Sequence, residues 1–149
     1  MCGILGQYSR TENIATNLVD FQGALKTLEH RGPDNISTLS GTRFFLGHTR
    51  LSVIDKSVES NQPFFDSRYS MVYNGEIYNH NELREELEQL GGEFNTLSDT
   101  EVLFHSLIHW GSGALEKLNG QFAFAFYDKQ NDELLLARDR FGIKPLWYS

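Results

Sequence analysis

Apolar residues recur along this chain with two distinct periods. Leu18, Phe21, Leu25 and Leu28 fall at three- and four-residue steps, the spacing of an amphipathic helix, and Gly32-Pro33 predicts where it stops. Residues 81–90 are polar with Leu83, Leu87 and Leu90 on one stripe and Gly91-Gly92 behind them, which reads as a surface helix. Ser98-x-x-Glu101 has the form of a capping box and predicts a helix start at Asp99, with Val102, Leu103, Leu107 and Ile108 on the buried side. The other period is two. Aromatic and branched residues predict a strand over 3–8 and one or two strands over 43–54, broken near Gly47. A strand over 69–73 is expected to run into Asn74-Gly75. Residues 122–127 and 134–137 read as strands joined by a polar turn, and 146–148 as the start of another. Phe122, Phe124 and Phe126 alternate with Ala123 and Ala125, as in a core strand. Strands in adjacent runs with few helices between them favour an α+β fold with antiparallel sheets.

With 149 residues, 40% of them hydrophobic, the chain is expected to close one core. No repeat or long linker divides it. Twenty acidic against thirteen basic residues leave a net charge of -7, which argues against nonspecific binding to a nucleic-acid backbone. No apolar run approaches the ~20 residues of a membrane span, and the first residues lack the pattern of a secretory signal. One cysteine makes neither an internal disulfide nor a multi-thiolate zinc site, so a reducing, cytoplasmic setting is expected.

That cysteine stands at position 2. With Met1 removed it carries a thiol and a free α-amine, and an amine of pKa ~8 accepts the thiol proton near neutral pH. A lone early cysteine by itself reads first as a small buried apolar side chain. Taken alone, Asn74-Gly75 reads as a type I′ turn, Arg50 as a partner in a surface ion pair, and Asp99 as a first-turn acid favoured by the helix dipole. His105 and His109 stand four apart on a predicted helix, without the intervening Glu of a zinc protease motif, and read as ordinary helix histidines. His48 reads as a strand histidine that serves packing and hydrogen bonding rather than catalysis.

Six motifs occur in order: Met1-Cys2-Gly3-Ile4; His30-Arg31-Gly32-Pro33-Asp34; His48-x-Arg50-Leu51-Ser52-Val53-Ile54-Asp55; Asn74-Gly75-Glu76-Ile77-Tyr78-Asn79; Ser98-Asp99-x-Glu101-Val102; and Arg138-Asp139-Arg140-x-Gly142-x-Lys144-Pro145-Leu146. Together they resemble the glutaminase domain of glutamine-dependent asparagine synthetases, class II glutamine amidotransferases of the N-terminal-nucleophile hydrolase superfamily. The resemblance covers essentially the whole chain. It implies a four-layer αββα sandwich of two mainly antiparallel sheets, truncated at its C-terminal end, with residues 1–149 forming an incomplete amidotransferase domain and the synthetase domain absent.

The resemblance also implies roles. Cys2 attacks the side-chain amide of L-glutamine, its α-amine acting as base, and a thioester forms as ammonia leaves. Asn74 and Gly75 receive the oxyanion. Arg50 grips the α-carboxylate and Asp99 the α-ammonium, while Leu51, Val53, Ile54 and Glu76 line the glutamine pocket. Residues 30–34 form a positioning loop. No metal or cofactor is expected for the glutaminase half; ATP and Mg²⁺ belong to a synthetase domain, in cis or in trans, whose Ser-Gly-Gly-x-Asp-Ser loop this chain lacks. Oligomers are compatible with this reading. The alternatives are a noncatalytic glutamine-binding or interaction fragment, as when a retained Met1 caps the amine, and an ammonia donor for an acceptor other than aspartate.

Overall fold

The computed structural model describes residues 2–14, 18–51 and 60–149. Strands β1 (Gly3–Tyr8), β2 (Asn35–Ser40) and β3 (Phe44–Arg50) form one sheet in the order β1-β3-β2. Strands β4 (Phe64–Phe65), β5 (Tyr69–Ile77), β6 (Gly120–Asp128) and β7 (Glu133–Arg138) form the second in the order β4-β5-β6-β7. Every pairing is antiparallel. Helix α1 (Leu18–Lys26) belongs to the first sheet; α2 (His80–Gln89), α3 (Asp99–Trp110) and the short α4 (Ala114–Lys117) belong to the second.

The two-residue period sorts side chains into three apolar layers. Phe44, Leu46, Val72, Ala125 and Tyr127 meet between the sheets. Phe45 turns the other way and packs with Phe21 and Ile14 under α1. On the far side, Met71, Tyr73, Phe122, Phe124 and Phe126 pack beneath Leu83, Leu87, Val102, Leu103 and Leu107 of α2 and α3. The three Phe of β6 thus fill the sheet–helix layer, while the alanines between them let the sheets approach. The layers run helix, sheet, sheet, helix, the α+β architecture expected.

Several local expectations change. The first helix ends at Lys26, because the Thr27 hydroxyl and N–H both bond the Ala24 carbonyl and the chain tightens into a 3-10 turn at Glu29–Arg31. Gly47 does not break β3; a β-carbon there would lie 2.8 Å from Leu25 Cδ2, so the glycine makes room for α1. The 146–148 run forms no strand, and Trp147 and Tyr148 are exposed. Leu90 is exposed just beyond α2. Strands β2 and β4 carry no clear apolar alternation and were not anticipated. Among the described residues no helix is long and apolar enough to cross a membrane.

Candidate functional site

The register of β1 against β3 pairs Gly3 with Thr49 and so delivers Cys2 to Leu51. The N–H of Leu51 donates to Cys2 Sγ at 3.4 Å, and the thiol faces the Leu51 carbonyl at 3.7 Å. Arg31 Nε donates to the Cys2 carbonyl at 3.3 Å, and the Gly3 N–H donates to Thr49 Oγ1 at 3.0 Å. Cys2 is thus half-buried and held by polar backbone contacts, which sets aside the reading of a core apolar side chain.

Arg50 closes β3 and is buried, so the surface ion pair is also set aside. Its Nη1 donates to Asn61 Oδ1 at 2.6 Å, and its carbonyl accepts from the Asp34 N–H at 3.0 Å, tying the 30–34 loop to the strand. Leu51 is partly exposed and contributes its backbone. Val53 and Ile54 lie outside the described residues.

The second sheet supplies the other candidates. Asn74 and Gly75 are not a turn: β5 runs through them to Ile77, paired with Ala123 and Phe122 of β6. Tertiary pairing overrides the local Asn-Gly preference. A β-carbon on Gly75 would stand 2.3 Å from the Gln121 carbonyl oxygen, so only glycine fits against β6. Asn74 shares the inter-sheet face with Val72, is 7% exposed, and makes no side-chain hydrogen bond among the described residues. Glu76 is exposed.

Asp99 opens α3 and is 7% exposed. Its Oδ2 accepts from the Tyr73 hydroxyl at 2.7 Å and from the Ile77 N–H at 3.0 Å. Ser98 caps the helix by accepting from the Glu101 N–H at 3.3 Å. Glu101 does not return the bond to Ser98, as a capping box requires; its carboxylate accepts from the Asn95 and Thr96 N–H groups and the Thr96 hydroxyl. Thr96 Oγ1 then receives the Ser98 N–H. One buried acid organises the whole approach to Asp99.

Burial raises the Tyr73 pKa, and Asp99, Glu76 and Cys2 add to the shift in that order. Arg31, Asn61, Gln62 and Tyr73 are the residues sequence reasoning missed as individuals. Gln62 accepts the Tyr73 N–H on Oε1 at 2.6 Å and donates through Nε2 to Thr100 at 3.4 Å, joining β5 to α3. A polar Asn61-Gln62 pair ahead of Pro63-Phe64 reads locally as an ordinary loop, and nothing in the sequence marks that Gln62 is buried. His48 is 1% exposed between the sheets, and neither ring nitrogen makes a hydrogen bond of normal geometry among the described residues. His105 packs on Phe94 and Phe104, and His109 on Trp110.

The family model for the glutamine amidotransferase domain matches residues 1–149. Over all of this chain, "Asparagine synthetase [glutamine-hydrolyzing] 3" of Bacillus subtilis is 39% identical and "Asparagine synthetase [glutamine-hydrolyzing] 1" of the same organism 42%. The chain spans 25% and 24% of their lengths, about a quarter of each. The solved glutamine phosphoribosylpyrophosphate amidotransferase of B. subtilis superimposes with a TM-score of 0.72 at 23% identity, covering 93% of this chain and 37% of that one, which shows the fold. A match over the full chain, two sheets in the same arrangement and relatives near 40% identity make this protein a member of the glutamine amidotransferase domain family.

Proposed function

We propose that this domain hydrolyses L-glutamine to glutamate and ammonia through a thioester on Cys2, and hands the ammonia to a synthetase domain of the asparagine synthetase type. The observation that carries the reading is the seating of Cys2 Sγ on the Leu51 N–H beside buried Arg50. With Met1 removed, the α-amine takes the thiol proton as sulfur attacks the amide carbon, and returns it to the departing nitrogen, which leaves as ammonia. Water then cleaves the thioester, releasing glutamate and restoring the thiol. Asn74 and the Gly75 N–H receive the charge that develops on oxygen in both steps.

Recognition is divided by charge. Arg50, oriented by Asn61, takes the α-carboxylate, and Asp99, oriented by Tyr73 and Ile77, takes the α-ammonium. Leu51 supports the thiol, and Val53, Ile54 and Glu76 complete the pocket in this reading. Nucleophile, base and oxyanion donors all come from the chain; ATP and Mg²⁺ serve the synthetase step. A cytoplasmic setting suits a thiol nucleophile.

The test is glutamate release by protein whose intact mass shows that Met1 is gone, compared with Cys2→Ala. Cys2→Ala should lower release by at least about 10³-fold with an unchanged melting midpoint. Equal release by both proteins overturns the proposal.

A further inference from the structure

Asp99 is a carboxylate with two unlike oxygens. Oδ2 takes both the Tyr73 hydroxyl at 2.7 Å and the Ile77 N–H at 3.0 Å, whereas Oδ1 accepts no hydrogen bond among the described residues. Two donors on one oxygen fix the rotation of the carboxylate and leave the second oxygen to one direction. Tyr73 is itself held at both ends, its N–H by Gln62 Oε1 at 2.6 Å and its hydroxyl by Asp99. Its ring lies over Gly75, where a β-carbon would stand 2.8 Å from Tyr73 Cε2. It is 2% exposed, and burial beside Asp99 keeps the hydroxyl protonated and therefore a donor.

We propose that Tyr73 is a positioning residue for substrate selection: its hydroxyl locks Asp99 so that Oδ1 meets the α-ammonium, and it thereby sets the preference for α-amino γ-amides over the same amides without the amine. The inference rests on the assignment of Asp99 to the ammonium. Its structural basis is the alternation along β5. Asn74 turns its amide toward the inter-sheet face while the preceding residue turns its hydroxyl toward α3, so a single strand segment sets the oxyanion donor and the ammonium subsite in fixed relation.

The experiment compares kcat and KM of the wild type, Tyr73→Phe and Asp99→Asn for L-glutamine and for 4-carbamoylbutanoate, which is glutamine lacking the α-amine. Tyr73→Phe should raise KM for glutamine about tenfold with kcat within about twofold, as loss of one charge-assisted hydrogen bond implies. The ratio of kcat/KM for the two substrates should fall by the same factor, because the analogue has no ammonium to misplace. Circular dichroism and melting establish folding; Tyr73→Met, which also lacks the hydroxyl, replaces the Phe variant if that one does not fold. Equal losses on both substrates, or no loss on either, overturn the role of Tyr73. If Asp99→Asn abolishes the preference and Tyr73→Phe retains it, the Tyr73 inference alone fails; if Asp99→Asn retains it, the ammonium assignment fails and takes the inference with it.

Discussion

Arg50 Nη1 donates to Asn61 Oδ1 at 2.6 Å, across eleven residues of chain, and this bond orients a buried guanidinium at the end of β3. A planar guanidinium is the side chain whose N–H groups can make two parallel bonds to a carboxylate, which a lysine ammonium cannot. Arg50→Lys keeps the charge and loses the plane. The expected result is a KM for glutamine raised by about tenfold or more, with a smaller change in kcat. Asn61→Ala should move KM in the same direction by less. Steady-state glutamate release measures both, and an unchanged KM in Arg50→Lys removes the carboxylate role.

His48 predicts an acid-sensitive component of stability. Burial lowers its pKa from 6.5 to about 4, with Arg50 adding to the shift and the Tyr73 backbone opposing it. The folded protein therefore binds the proton more weakly than the unfolded chain. The stability contribution is complete above pH 6.5 and declines as pH falls through 6.5 toward 4. His48→Gln, which takes up no proton, should lose less stability than the wild type over this window, as read from urea unfolding at a series of pH values. Parallel curves for the two proteins count against a buried neutral histidine.

Asp128 acts at lower pH and at the opposite end of the sheet from the site. Arg68 Nε and Nη2 grip its carboxylate at 2.6 to 3.2 Å, and the same carboxylate accepts the Gln130 and Asn131 N–H groups in the β6–β7 turn. The Arg68 hydrogen bond is the largest cause of a pKa lowered to about 2. Its stabilisation is present above the ordinary value of 3.8 and is lost as pH falls toward 2. Asp128→Asn should cost about 2 kcal/mol at neutral pH and flatten acid unfolding below pH 4, with glutamine KM unmoved. Thermal melting and the glutaminase assay separate the two effects.

Much of the architecture was legible in local spacing. The alternation of Phe and Ala in β6, the Leu83 and Leu87 stripe and the Ser98 cap each formed the element expected, because side-chain periodicity and terminal hydrogen bonds are short-range properties. The errors fell where distant partners outweigh local preference. Asn74-Gly75 stays in a strand because β6 pairs with it, Gly47 continues β3 because α1 needs the space, and β2 is a strand because β3 offers it an edge.

The candidate site divides along the same line. Sequence by itself determined the chemical inventory: a thiol at position 2, an arginine, an Asn-Gly pair and an acid at a helix start, in an order that marks the family. Residue type and order are local, and they carry chemistry. Only the tertiary structure decided which groups orient that chemistry. Arg31 meets the carbonyl of Cys2 across 29 residues, Tyr73 meets Asp99 across 26, and Gln62 meets Tyr73 across 11. Each pairing joins segments distant in the chain, a 3-10 turn to β1, β5 to the start of α3 and a loop to β5, and the face that Tyr73 presents to α3 is set by strand register, since a shift of one residue would turn it to the opposite face.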